Sequence, residues 1–468
     1  MMNRFRRLLA LVLVFLPATI VLVAQARPVD ETEFVIRPLQ SFPGDWSGYR
    51  QLTGDVNGDG REDLIWNRVT DGTHNYTFVG LAGADGAFVQ GPLNDFPGDW
   101  RVYRIYTGDF DGDGLTDLLW NSKCQDFNCN SSANYTAVGL SNGDGTFTLL
   151  ATQQLGTAGW SAYRTRVADA NGDGRDDVIF NYVGNGFGAT QPGANYIYVA
   201  TSGINAALTL GPLQTVGLTG WEYFNVTTGD VNKDGLADLV WATQCIRKYF
   251  YAGESCWLGQ NNRVAVGLGS PTGFDIFPPQ IIGTDGTWQG YEINDGDVNG
   301  DGRHDLVWQS PSGTDAINSF VGLGTDSGQF EVGEQQTGSA TTYGNFFALL
   351  DVDGDGDDDL IANTLCQARD TNTFKCTAGR NLLTIGRVGP DGTVTYDPEQ
   401  ELPSADLENL GLSPRHPAAD YNGDGTGDLL WSSVGPNGSL APNLVLVGLA
   451  QPPEPVSFES YIPAAVRP

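Results

Sequence analysis

Short apolar runs rich in β-branched and aromatic residues, separated by Gly, Asp and Asn, fill almost the whole chain. They recur in a fixed order. "YRQLT" (49–53) leads into an acidic stretch and "DLIWN" (63–67) leaves it; an Asn-led run, "NYTFVGL" (75–81), follows, and "AFVQGPL" (87–93) closes the unit. Runs of this kind read as strands. No segment sustains a 3.6-residue apolar period with caps, so very little helix is predicted.

The acidic stretch occurs seven times, beginning at Asp55, Asp109, Asp169, Asp230, Asp297, Asp351 and Asp420, with separations of 54, 60, 61, 67, 54 and 69 residues. Two features keep step with it. An aromatic pair precedes it (Trp46 and Tyr49, Trp100 and Tyr103, Trp160 and Tyr163, Trp221 and Tyr223, Trp288 and Tyr291, then Tyr343 alone), and the Asn-led run follows it, from Asn75 to Asn443. A period above about forty residues indicates propeller blades or another array. The units abut without Pro- or Ser-rich linkers, which favours one closed body over a string of modules. The expected fold is all-β: a seven-bladed β-propeller of four-stranded antiparallel blades.

Ring closure is legible too. "EFVIRPLQSFPGDW" (33–46) matches "AFVQGPLNDFPGDW" (87–100), so the chain starts with an orphan fourth strand, and its last unit ends soon after a third strand. Phe34–Phe42 is therefore expected to pair beside Asn443–Gly448 and remove the exposed sheet edges. The alternative closing strand is "PVSFESYIP" (455–463).

Within each acidic stretch, oxygen side chains stand at positions 1, 3, 5 and 9, with Gly at position 6. The candidate ligands are Asp55, Asn57, Asp59 and Asp63; Asp109, Asp111, Asp113 and Asp117; Asp169, Asn171, Asp173 and Asp177; Asp230, Asn232, Asp234 and Asp238; Asp297, Asn299, Asp301 and Asp305; Asp351, Asp353, Asp355 and Asp359; and Asp420, Asn422, Asp424 and Asp428. Hard oxygen donors spaced by two around a tight turn suit Ca²⁺, and Mg²⁺ suits them less because it demands stricter geometry. Seven structural Ca²⁺ ions are expected. An EF-hand needs a Glu at position 12 and flanking helices. Here position 12 is Trp66, Trp120, Phe180, Trp241, Trp308, Ala362 or Trp431, between strands.

Composition narrows the partners. The chain has 468 residues, 40% of them apolar, and a formal charge of −31. So acidic a surface disfavours nucleic acid and anionic lipid. Residues 1–26 carry a basic start, an apolar stretch and an Ala24-Gln25-Ala26 cleavage site, which reads as a secretory signal peptide. Residues 27–449 form the propeller and 450–468 a C-terminal tail, with no membrane span after cleavage; an exported monomer, periplasmic or extracellular, is expected. Without the three signal arginines the charge is −31 − 3 = −34, and seven Ca²⁺ would bring it to −34 + 14 = −20. Six cysteines form three local pairs: Cys124 with Cys129, Cys245 with Cys256, and Cys366 with Cys376. Export favours disulfides, and locality favours these pairings among the fifteen that six cysteines allow.

The acidic motif followed by "N-x-x-x-V-G-L" resembles the FG-GAP/VCBS repeat of integrin α-subunit propellers and secreted bacterial proteins, over about residues 33–449. The resemblance implies the propeller and Ca²⁺, and it leaves function open among adhesion, carbohydrate binding and accessory roles. Alternating strand direction puts the acidic loops on one face, and the Cys-bracketed loops and Trp/Tyr pairs on the other. The expected function is recognition of a glycan or surface protein. Tyr249, Phe250, Tyr251 and Trp257, which occur in one unit only, are the candidate contacts. Trp46 and its equivalents either join that face or pack between blades, and their repetition in step favours packing. The tryptophans of the second strands are expected in the core. No nucleophile elbow or H-E-x-x-H is present, and His74, His304 and His416 fall in different units. A carbohydrate-active enzyme, such as a polysaccharide lyase or hydrolase, and a purely structural module are the alternatives.

Overall fold

The computed structural model describes residues 32–451 except 45, 47, 70–71, 123–132, 158–159, 161–162, 184–193, 218–220, 222–223, 244–261, 284–290, 313–315, 340–345, 365–367, 370–375, 379–380, 403–412, 415–418 and 434–442. The signal peptide, the tail beyond Gln451 and the alternative closing strand lie outside the described residues.

Seven antiparallel sheets follow one another along the chain. In blade 1 the order from the axis outward is Arg50–Gly54, Asp63–Val69, His74–Ala82 and then an outer strand in two pieces, Phe88–Gln90 and Asn94–Pro97, both paired to the third. The sequence reads as one unbroken fourth strand. Pro92 at the break has no N–H to give the ladder, while Gly91 N still donates to Val79 O at 2.7 Å. A broken edge twists away from strand addition by another chain. Blade 6 also carries a small ribbon that the sequence pattern did not suggest, Ala368–Arg369 with Cys376–Ala378.

The second strands are buried on both faces, because a blade lies against each side; Asp117–Ser122 is buried at every position. Trp66, Trp120, Trp241 and Trp431 are fully enclosed. Room for them comes from the third strand: a Cβ on Gly80 would lie 2.8 Å from the Trp66 ring, and one on Gly139 2.9 Å from Trp120. Blade 3 makes the paired exchange, with Ala200 in place of the glycine and the smaller Phe180 in place of the Trp. Trp46, Trp100, Trp160 and Trp221 are also buried, with ring centroids 5.2, 5.3, 5.2 and 5.4 Å from Trp66, Trp120, Phe180 and Trp241. They are core, which corrects any reading of them as a binding face. Truncating one would cost about 3–5 kcal/mol.

The ring closes as its sequence predicts. Glu33–Ile36 pairs with Gly448–Gln451 and Gln40–Phe42 with Asn443–Val445, so the N-terminal segment is the outer strand of blade 7.

Two belts of hydrogen bonds run round the ring. In the inner belt, the position-8 N–H of each acidic loop donates to the position-1 carbonyl of the preceding loop: Thr116 to Asp55 (2.8 Å), Asp176 to Asp109 (2.7), Ala237 to Asp169 (2.9), His304 to Asp230 (2.7), Asp358 to Asp297 (2.6), Gly427 to Asp351 (2.6) and Glu62 to Asp420 (2.9). Side chains interlock at the same points. Thr116 sits in the notch left by Gly54, whereas Leu350 fills the notch left by Gly427. In the outer belt, an amide at the start of the second outer piece grips the backbone of the next blade. Gln280 donates to Phe330 O at 2.6 Å and accepts from Phe330 N at 3.1 Å. Gln40 does the same at Phe88, Gln214 at Phe274, and Gln336 at Gly392 and Val394. Asn94 grips Gly145 and Phe147, Gln153 holds Leu208, and Gln400 holds Thr32.

Candidate metal centres

Each acidic loop is a tight turn between the first and second strands of a blade. Position 1 organises it. Asp55 Oδ1 accepts from Gly58 N at 2.7 Å and Oδ2 from Gly60 N at 2.8 Å. Positions 4 and 6 lie in the left-handed region, as at Gly58 (φ 72°) and Gly60 (φ 80°), where a side chain is strained. Blade 4 departs with Lys233 (φ 62°), whose Nζ donates to Asp301 O of the next loop at 2.5 Å.

Position 9 is the buried member. Asp63, Asp177, Asp238, Asp305 and Asp428 have no exposed surface, and Asp117 and Asp359 have 1%. The carboxylate ties its turn to the end of the third strand: Asp63 accepts from Val56 N at 3.2 Å and Ala82 N at 2.7 Å, and Asp117 from Phe110 N at 3.1 Å and Ser141 N at 2.8 Å. Burial pushes Asp63, Asp117, Asp177, Asp305 and Asp428 up to about 7, against the pull of these N–H groups, and neighbouring carboxylates add to the rise. Asp238 rises to about 6 and Asp359 to about 8 for the same leading reason.

Two loops have Asp at position 3. In blade 2, Asp109, Asp111 and Asp117 each bring a carboxylate oxygen within 4.8 Å of the others; in blade 6, Asp351, Asp353 and Asp355 do so. Asp177 Oδ2 in blade 3 is buried with no hydrogen-bond partner among the described residues. In blades 2 and 3 a hard cation fits such a donor set, since it would relieve the repulsion in the first and satisfy the orphaned oxygen in the second. In blades 1, 3 and 5 the position-7 arginines Arg61, Arg175 and Arg303 pair with the position-5 carboxylates Asp59, Asp173 and Asp301.

Residues 55–120, 124–180 and 297–362 match the FG-GAP-like repeat. No curated protein matches the chain. Among solved structures, the exotype rhamnogalacturonan lyase YesX is similar at 13% identity and a TM-score of 0.40, over 90% of this chain and 75% of that one. So distant a likeness says nothing about activity.

Among the described residues, carboxylates from the proposed positions converge in two of the acidic loops, positions 1, 3 and 9 in blade 2 and positions 1, 3 and 5 in blade 6. The cysteine side chains of the expected disulfides lie outside the described residues. Cys124, Cys129, Cys245, Cys256 and Cys366 lie outside those residues, and of Cys376 only the strand that carries it is described. The pairings of Cys124 with Cys129, Cys245 with Cys256, and Cys366 with Cys376 therefore lie outside the described residues. The aromatics Tyr249, Phe250, Tyr251 and Trp257 also lie outside the described residues. His74 Nδ1 is 2.6 Å from Asp95 Oδ1, and His304 Nδ1 is 3.7 Å from Asp295 Oδ2, in separate blades; His416 is outside the described residues.

Sequence reasoning missed the amide belt, although a Gln or Asn recurs in step at 40, 94, 153, 214, 280, 336 and 400. It also missed Arg387, which the run "IGRV" marks by breaking the V-G-L pattern.

At the strand ends opposite the acidic loops, aromatic rings cluster on blade 3. Tyr163 packs with Tyr182 at 5.5 Å and Tyr198 at 5.8 Å, and Tyr182 with Tyr196 at 5.7 Å. On blade 1, His74 stacks on Tyr76 at 5.6 Å and the Arg68 guanidinium lies over Tyr49 at 5.6 Å. Between blades 3 and 4, where the V-G-L leucine is replaced by Thr201, there is a half-open cavity of about 430 Å³ lined in part by Thr201, Leu213 and Gly273.

Proposed function

We propose that this protein is an exported, calcium-stabilised β-propeller that recognises a glycan or a surface protein with the face opposite its acidic loops. Ca²⁺ held by positions 1, 3, 5 and 9 would neutralise carboxylates that burial otherwise drives to take up protons. The chain's own contribution is to place those carboxylates: the backbone N–H groups aim position 1, and the third strand fixes position 9. Export would also let the local cysteine pairs, such as Cys124 with Cys129 and Cys245 with Cys256, close their loops as disulfides.

The observation that carries the recognition reading is the cluster of Tyr163, Tyr196 and Tyr198, half-buried on the opposite face. Rigid aromatic planes next to polar loops suit sugar rings and protein side chains. The test is a glycan array probed with the purified protein in Ca²⁺ and again in EDTA. Binding to a defined glycan class in Ca²⁺, reduced tenfold or more by Tyr196→Ala, supports the reading. An array blank in both conditions, with no surface-protein capture, contradicts it. Turnover of a bound polysaccharide would favour an enzyme instead.

A further inference from the structure

The sixth loop carries the most acid of the seven, with six aspartates in "DVDGDGDDD" (351–359). It also has what the second loop lacks. The Arg387 guanidinium reaches it from the third strand, Asn381–Val388. Its Nη1 contacts Asp353 Oδ2 and lies 3.4 Å from Asp359 Oδ2; its Nε is 3.3 Å from Asp397 Oδ2; and its Nη2 donates to Thr32 Oγ1 at 2.7 Å. Positions 3 and 9 of this loop are thus joined through a cation that the chain itself supplies. The cluster around the second loop includes the position-9 carboxylate, Asp117; the cluster around the sixth consists of positions 1, 3 and 5. The position-7 arginines of blades 1, 3 and 5 differ from Arg387, since each pairs with the position-5 carboxylate of its own loop.

The location explains the residue. The V-G-L leucine of one blade normally packs on the hairpin between the third and outer strands of the next. Leu268 does so at Gly328, Leu323 at Gly392 and Leu449 at Gly86. Arg387 holds that place in blade 6, facing blade 7. There the third and outer strands come from opposite ends of the chain, Gln451 beside Glu33, and Thr32 stands where the other blades turn. A leucine would find no hairpin at this point. An arginine reaches a hydroxyl on one side and carboxylates on the other.

We propose that Arg387 takes the place of the metal ion in the sixth acidic loop and latches the closing strand of the ring, so that the protein holds six Ca²⁺ ions, seven less one. The proposal rests on the calcium reading of the other loops. Neutralisation at the seam comes from the chain, and closure there does not depend on calcium supply.

The test is the calcium content of the full protein, purified and dialysed against Ca²⁺, by elemental mass spectrometry with protein concentration from absorbance. Six ions per chain are expected in the wild type and seven in Arg387→Leu. Asp113→Ala, in the second loop, is expected to lose one ion, and Asp355→Ala, in the sixth, to lose none. The Asp355→Ala result stands even if Arg387→Leu fails to fold. Seven ions in the wild type, or one fewer in Asp355→Ala, would overturn the proposal and leave the calcium reading intact. No calcium in any sample would overturn both.

Discussion

Asp109, Asp111, Asp113 and Asp117 in blade 2 occupy the same four positions as Asp351, Asp353, Asp355 and Asp359 in blade 6, and the sixth loop adds Asp357 and Asp358. Their surroundings differ at the V-G-L leucine position of the third strand. Blade 2 has Leu140, which packs in the apolar cluster holding Ala206 of blade 3's hairpin. Blade 6 has Arg387, which faces Thr32. The comparison teaches that, where an acidic loop has no position-7 arginine of its own, the neighbouring blade decides whether the third strand supplies a cation. Where a hairpin offers an apolar platform, as blade 3 does to Leu140, a leucine seals the joint, and on the proposed calcium reading the loop is left for an ion. Where the chain ends leave no hairpin, a guanidinium serves both the joint and the loop.

The largest effect that would sharpen this contrast is expected from Arg387→Leu in EDTA. Asp359 would be left buried without its cation, and removing one partner of a buried pair costs about 3–5 kcal/mol. In saturating Ca²⁺ the same variant is expected to regain most of that loss, because the freed loop can then take an ion. Chemical denaturation under both conditions measures the difference. Equal destabilisation with and without Ca²⁺ would break the comparison.

A smaller effect separates an ordinary joint from the seam. Gln280→Ala removes two hydrogen bonds to Phe330 and is expected to cost about 1–3 kcal/mol. Gln400→Ala removes one bond, to Thr32 O, and is expected to cost about 1 kcal/mol, because Arg387 still holds Thr32. Hydrogen exchange at residues 33–36 reads the seam directly. Opening there in Gln400→Ala as large as that across the blade 4–5 joint in Gln280→Ala would argue against the latch.

Much of this was legible in the sequence because repetition makes physical constraints visible. Seven copies of one spacing fix the turn, and the match of 33–46 to 87–100 fixes the closure. The burial of Trp46 and its equivalents follows from their recurrence in step with the core tryptophans. What was hidden depends on contacts between blades. Gln280 looks like any surface amide until Phe330 of the next blade lies beside it, and the outer strand splits in blades 2 and 5 as well, where no proline marks the break. Arg387 shows only as a break in a pattern, and its meaning lies in Thr32, 355 residues away.

The most direct test of the central account is thermal unfolding against pH, with EDTA and with saturating Ca²⁺. The position-9 carboxylates Asp63, Asp117, Asp177, Asp305 and Asp428 have their folded pKa raised from 3.8 to about 7. Between those values these groups keep protons in the metal-free folded protein that the unfolded chain has lost, so the stability they contribute is highest at low pH and is lost as pH rises through about 7. The expected result in EDTA is a Tm that drops steadily from about pH 4 to about pH 8. In Ca²⁺ the Tm is expected to be far higher at about pH 8, because the ion binds the ionised form. Superimposable curves with and without Ca²⁺ would contradict the account.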